Sequence, residues 1–311
     1  QTIFFTRLAA ELGMALGADT THRVMGGVAW YQPVGDALAG YRVIPTLYYR
    51  YSDGLWSGAM GLVPRTLLAE RLPRLLMSDS LAYCRPNFYG ALICRQLPRN
   101  GYVQLMLDWR QLPTNHRREA FSTMLSANVA LGHSPLRAKA IIYYNHLAKS
   151  RNRQADEGVV DDATLWPALM LNLDGRTALS RLQFETGMVV QLQRERSAGD
   201  SWGVYCAFEA AARLSWRHLD AETDLHAGAN PFPLYNSFGP LLNRGDPYYC
   251  GKVYSRTDLR YHLVRTHAVD VSATLSFHAT EHITGFWQQI SCRVRLNNDK
   301  RHNKTLLNSL F

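Results

Sequence analysis

Two short segments carry the densest polar chemistry in the chain. Asp220, Glu222, Asp224 and His226 recur at every second residue, and so do Arg256, Asp258, Arg260 and His262. A period of two places each set on one face of an extended strand. On neighbouring strands the acidic and basic ladders pair across the sheet. Such a set either holds a polar interior together by ion pairs or forms a charged constriction that sorts solutes. A sharper chemistry is open to Asp224 and His226, because a carboxylate beside an imidazole orients the ring and raises its basicity, as hydrolysis by activated water requires. Asp161-Asp162, in another connection on the same side, offers further carboxylates. His146, after Tyr143-Tyr144-Asn145, fits a hydrogen-bonded structural role better than a catalytic one.

Other chemistries lack their residues. There is no P-loop, GxGxxG, HExxH or GxSxG, which removes the common nucleotide, zinc-protease and α/β-hydrolase readings, and no cofactor is expected. Cys84, Cys94, Cys206, Cys250 and Cys292 show no metal-ligand spacing, so no metal site is expected. Cys94, Cys206 and Cys292 fall in phase with apolar positions and read as small hydrophobes. Cys84 and Cys250 lie in connections on one side, where a disulfide is open to an exported protein. The net charge of +9 is dispersed, apart from Lys300-Arg301 and Lys304, and fits a solvated or interior-facing set better than a nucleic-acid surface.

The elements that position these residues are strands. Leu182, Phe184, Thr186, Met188, Val190 and Leu192 alternate with Arg181, Gln183, Glu185, Gly187, Val189 and Gln191, and the same period recurs from end to end. Fifteen such spans are expected: 6–17, 21–33, 39–52, 55–64, 83–96, 101–111, 118–132, 136–147, 164–174, 177–194, 201–217, 219–228, 254–266, 268–280 and 284–297. Most exceed ten residues, longer than strands of soluble proteins and long enough to cross a bilayer when tilted. Connections after odd-numbered spans are short, and the long ones, 65–82, 148–163 and 229–253, all follow even-numbered spans. All seven tryptophans lie near span ends, and Trp30, Trp56, Trp109, Trp202 and Trp216 share the apolar phase, as in an interfacial girdle. Odd strand number is unusual for such a meander, so fourteen to sixteen strands are expected.

With alternation, sorted connections and girdle together, the chain resembles Gram-negative outer-membrane β-barrel proteins as an architectural class. The resemblance implies an all-β, antiparallel up-and-down transmembrane barrel over residues 1–297, with 298–311 as a polar C-terminal tail. Phe286 to Leu296 resembles an aromatic closing strand. Gln1 follows no leader, as expected of a processed exported protein or a fragment. Asp79-Ser80-Leu81 resembles the short O-glycosylation site of Bacteroidota. The expected function is non-enzymatic: a passive solute channel, or the barrel subunit of a larger outer-membrane assembly.

Two alternatives stay open. Asp224-x-His226 resembles the pair of omptin proteases, which implies a barrel-embedded peptide or lipid hydrolase with Asp161 and Asp162 as partners. A soluble all-β binding protein is the other. Expected partners are outer-membrane lipid and lipopolysaccharide, with other outer-membrane proteins, surface lipoproteins or glycans as further candidates. Connection 229–253 offers Phe232, Tyr235, Phe238, Tyr248 and Tyr249 among prolines, either as exposed anchors for a ligand or as a plug in the barrel mouth. Leu67, Leu68, Leu72, Leu75, Leu76 and Met77 in 65–82 must cap the lumen, lie in the membrane interface or dock on a partner.

Overall fold

The structure, a computed structural model, describes residues 4–17, 20–35, 42–152, 157–199 and 201–296. Among the described residues, fifteen strands form one antiparallel sheet in sequence order. They are β1 (Phe5–Leu16), β2 (His22–Pro33), β3 (Arg42–Ser52), β4 (Trp56–Pro64), β5 (Asn87–Leu97), β6 (Gly101–Gln111), β7 (Ala120–Ala130) and β8 (Leu136–Leu147). There follow β9 (Val160–Asn172), β10 (Arg181–Glu195), β11 (Gly203–Trp216), β12 (Leu219–Gly228), β13 (Val253–Arg265), β14 (Val269–Thr280) and β15 (Thr284–Val294). Two short helices, α1 (Asp79–Cys84) and α2 (Tyr235–Phe238), interrupt the two longest connections.

Alternation decides which side each residue meets. On β10, Met188 is 54% exposed while its neighbour Val189 is fully buried. Outward positions form a belt of Leu105, Leu125, Ile142, Leu169, Phe208 and Phe277, all exposed. Inward positions are largely polar, with Gln104, Ser126, Thr164, Gln191, Ser272 and Thr274 buried. An apolar exterior around a polar interior is stable only in hydrocarbon. This overturns the soluble-protein alternative, which needs the opposite arrangement.

The connections are sorted by end. Short ones (17–21, 53–55, 98–100, 217–218 and 266–268) lie at one end, and the two longest (65–86 and 229–252) at the other. Three expected boundaries differ by about four residues. The fifth span, expected from 83, starts at Asn87, because Asp79–Cys84 forms a helix capped by the Ser78 side chain. Strand β9 starts at Val160, because Asp161 and Asp162 find charged and amide partners on the neighbouring strands and so belong to the sheet. The β9–β10 connection covers 173–180 rather than a two-residue turn. The edges β1 and β15 both run toward the short-turn end, and among the described residues each pairs on one side only. The expected tail, 298–311, lies outside the described residues.

The tryptophans follow the expected phase but not all the expected heights. Trp109, Trp202 and Trp216 face outward near strand ends. Trp166 sits mid-strand and faces the lumen, 8% exposed, over Gly187 of β10. A Cβ at Gly187 would meet the Trp166 indole nitrogen at 2.8 Å and Pro167 O at 2.6 Å, so only glycine leaves room there.

Candidate functional site

The two polar ladders lie on adjacent strands, β12 and β13, facing the lumen. Register sets Asp220 opposite Arg260 and Asp224 opposite Arg256, but it sets Glu222 opposite Asp258. Like charges directly opposite one another are unfavourable. A cation from elsewhere resolves the conflict. Arg74, in connection 65–86, reaches Asp258 at 2.6 Å, Glu222 at 3.5 Å, Asp79 at 3.4 Å and Asp224 by a short contact. Arg213 of β11 adds a second bond to Glu222 at 3.2 Å. Arg256 turns from its cross-strand partner toward Asp258 at 2.9 Å and Asp79 at 2.8 Å. Lower in the ladder, His262 bridges Asp220 and Asp270, both at 2.9 Å, and Arg260 donates to Thr274. The ladder therefore serves as the wall anchor of an inserted loop.

That loop was legible only in part. Its leucines pointed to burial, and Arg71 and Arg74 among them were the available signal: a cation carried into a barrel interior by a leucine-rich segment must meet carboxylates there. Burial would raise the Asp79 carboxyl, yet the guanidiniums of Arg71, Arg74 and Arg256 outweigh it and hold the group at about 2.

A second fastening joins the two long connections to the opposite wall. Asp108 of β6 accepts from Arg65 at 2.7 Å and from Arg244 of 229–252 at 3.0 Å. The connections also bond to each other, Ser78 N–H to Arg244 O at 2.8 Å and Asp246 N–H to Arg74 O at 2.9 Å. Between the fastenings, Leu68, Leu72, Leu75, Leu76 and Met77 pack with Phe232 and Tyr249 against inward Val63, Phe88, Met106, Met124, Val189 and Tyr254. The leucines thus cap the lumen. An apolar layer crosses the barrel interior, and the plug arrangement of 229–252 holds.

Beneath this layer, toward the short turns, lies a chamber of about 1030 Å³ roofed by Leu67 to Arg74. Eight basic and six acidic side chains line it. Lys139 is held between Glu70 and Glu185, each at 2.8 Å, so the chamber wall carries its own ion-pair ladder.

Several expected sites are not assembled. His226 Nδ1 bonds Glu209 rather than Asp224, and its ring is 1% exposed beneath the edge of Tyr249. Asp161 and Asp162, being successive strand residues, face opposite sides of the wall. Asp162 is buried inside with Asn145, Gln191, Gln193 and Asn243, whereas Asp161 faces outward with His146 and two arginines. The four residues proposed for hydrolysis therefore share no cleft. His146 has the hydrogen-bonded place expected of it, 2.9 Å from Asp161.

The aromatic anchors also differ from their exposed reading: Phe232 and Tyr249 are buried, Tyr235 and Tyr248 pack on the same cluster, and Phe238 lies under the Arg118 guanidinium. Cys84 and Cys250 are free thiols, Cys84 near Tyr31 and Cys250 near Tyr235, so no bridge joins them. Cys94 faces the lumen, contrary to its expected phase, while Cys206 and Cys292 are exposed on the outside. Asp79 of the Asp79-Ser80-Leu81 triplet is occupied by the arginines above.

No protein-family model and no curated protein matches the chain. Among solved structures, an anion-selective porin from Comamonas acidovorans aligns with TM-score 0.51 at 10% identity, over 93% of this chain and 85% of that one. The chain has the porin-type outer-membrane barrel fold. Two Pseudomonas aeruginosa proteins, OccK11 (OpdR) and OccK5 (OpdH), align with TM-scores 0.45 and 0.46 at 13% and 9% identity. OccK11 covers 93% of this chain and 91% of its own, and OccK5 covers 92% of both. In this chain the strands supply the wall, and connections 65–86 and 229–252 pack inside it.

Proposed function

We propose that this barrel is a passive channel for small hydrophilic solutes, with its passage set by connections 65–86 and 229–252. The observation that carries the reading is the charged chamber beneath an inserted loop that is fastened by ion pairs rather than by covalent bonds. Ion pairs exchange with water and solute, so a loop held this way can yield part of the cross-section. The excess of basic over acidic chamber residues gives a modest preference for anions. That preference agrees in sign with the anion selectivity of the Comamonas acidovorans porin.

Planar-bilayer recording of the purified protein tests this. Discrete conductance steps are expected, with a reversal potential under a salt gradient displaced toward the anion side. A protein that inserts but never conducts would overturn the channel reading. Conductance with cation preference would overturn the selectivity alone.

A further inference from the structure

Most of the basic side chains that line the chamber face a carboxylate. Arg74, Lys139 and Arg213 make the ion pairs described above, and Arg71 pairs with Asp79. Arg50 stands within electrostatic reach of Glu11, and Arg181 within reach of Glu222, Asp174 and Asp220. Arg99 and Arg137 differ, for among the described residues neither bonds a carboxylate. The two meet at the short-turn end of the chamber. Arg99 lies in the turn between β5 and β6, and Arg137 is the second residue of β8.

Arg137 is 8% exposed, yet every acceptor it finds is neutral. Its Nε donates to Asn128 Oδ1, its Nη1 to Arg99 O at 2.9 Å and its Nη2 to Asn100 O at 3.1 Å. These bonds occupy three of the five N–H groups of a guanidinium and cancel none of its charge. Asn128 also donates to Glu70, but that carboxylate is held by Lys139 at 2.8 Å. A cation withdrawn from water without a counter-ion is costly, and an anion entering the chamber offsets that cost.

The turn beside it is shaped to hold this arrangement. Arg99 and Asn100 have φ of +59° and +55°, a left-handed conformation that non-glycine residues adopt at a cost. The carbonyls of this strained pair are the acceptors for Nη1 and Nη2 of Arg137, so turn and guanidinium fix one another. The Arg99 side chain is exposed and donates to the His133 ring. A guanidinium fixed in place beside a second, exposed one complements an oxyanion, whose oxygens accept N–H groups in pairs.

We infer that Arg137, with Arg99, forms an oxyanion subsite on the chamber floor that takes the carboxylate or phosphate group of a small solute. The inference rests on the channel reading and names the solute class that the chamber holds. Asn128 and the 98–100 turn are positioning groups, and Arg137 is the residue that sets the anion preference.

The test is block of chloride current by succinate and by inorganic phosphate, each added to both sides of a planar bilayer that holds the whole protein. Both anions should block the wild type. Arg137→Gln should raise the half-blocking concentration about tenfold, the worth of one hydrogen-bonded charge. Arg99→Gln leaves the turn carbonyls in place and should raise it about two- to threefold, as for an exposed charge. Because Arg137→Gln also unpins the turn, Asn100→Asp is the second arm. Aspartate tolerates the left-handed conformation, keeps the carbonyl that Arg137 needs and puts a carboxylate beside the guanidinium. It should weaken block as strongly as Arg137→Gln, whereas a purely structural role for Arg137 would leave it like the wild type. Should Arg137→Gln fail to conduct, Asn100→Asp decides.

A wild type that conducts without block by either anion, or unchanged block in Asn100→Asp or in a conducting Arg137→Gln, would overturn the subsite and leave the channel reading intact. Block by one of the two anions alone would support the subsite and assign it to that oxyanion. A wild type that inserts and never conducts would remove the channel reading, and this inference with it.

Discussion

Replacing Arg74 with Gln removes the one cation that touches four carboxylates, and the structure allows the cost to be worked residue by residue. Three of the four keep another partner: Asp258 has Arg256 at 2.9 Å, Glu222 has Arg213 at 3.2 Å, and Asp79 has Arg256 at 2.8 Å. Asp224 does not fare as well, since its other cation, Arg213, is 4.0 Å away. The loss is therefore that of one buried carboxylate left without compensation, about 3 kcal/mol at the low end for a broken buried pair. The apolar contacts of Leu68, Leu72, Leu75, Leu76 and Met77 remain, so the loop loosens rather than leaves. A loss of about 3 kcal/mol raises the ratio of undocked to docked loop by roughly 150-fold. In single-channel records this appears as a long-lived higher-conductance level that is rare in the wild type. Limited proteolysis within 65–86 should rise in parallel. Adding Asp224→Asn removes the stranded charge and should return most of the docking, although Arg74 is still absent. If Arg74→Gln leaves the level occupancy within twofold of wild type, or if the double variant is no better than the single one, the electrostatic fastening is not what holds the loop.

Two more outcomes follow from the same geometry. Met188 faces lipid and Gln183, on the same strand, faces the chamber, so Met188→Arg should cost about 2–4 kcal/mol in folding into vesicles while Gln183→Arg costs little. Equal penalties in a urea titration would mean that the two faces do not meet different solvents. Acid should also release the loop: the Asp79 carboxyl is held at about 2 against an ordinary 3.8, so its contribution is complete above about pH 4 and disappears as pH falls through 2. Burial raises Asp246 instead, so its protonation favours docking and partly offsets the effect at the upper end of that window. Level occupancy should be flat from pH 7 to 5 and climb between about pH 4 and 2, with the step reduced in Asp79→Asn; a climb complete by pH 5 would assign the release to other groups.

The wall was legible because its grammar is local. Each strand announces itself by a period of two, so the expected fifteen spans and the sorting of connections agree with the structure, and the outward phase of Trp109, Trp202 and Trp216 could be read off directly. The misreadings cluster where a strand residue breaks the local rule for a non-local reason. Asp161 and Asp162 looked like a loop because adjacent carboxylates rarely sit in a strand, but amides inside and arginines outside hold them in β9. Cys94 looked lipid-facing because it is apolar enough for either side.

The site itself was barely legible, and the cause is physical. A strand residue's environment follows from its parity, whereas a loop residue's environment follows from where the loop ends up. Arg74 is separated from Asp224 by 150 positions and from Asp258 by 184, and no period connects them. What the sequence does contain is an imbalance. Register opposes Glu222 to Asp258 with no cation on either strand between them, and a leucine-rich connection carries four arginines against only Glu70 and Asp79. Each half is unstable alone in a barrel interior, and bringing the halves together removes both defects at once. On the outer face, the Asp161 carboxylate would be untenable without Arg194 and Arg196. In this chain the charges that offend the alternation inside the barrel mark where it meets something other than its own strands, the inserted loop that carries Arg74.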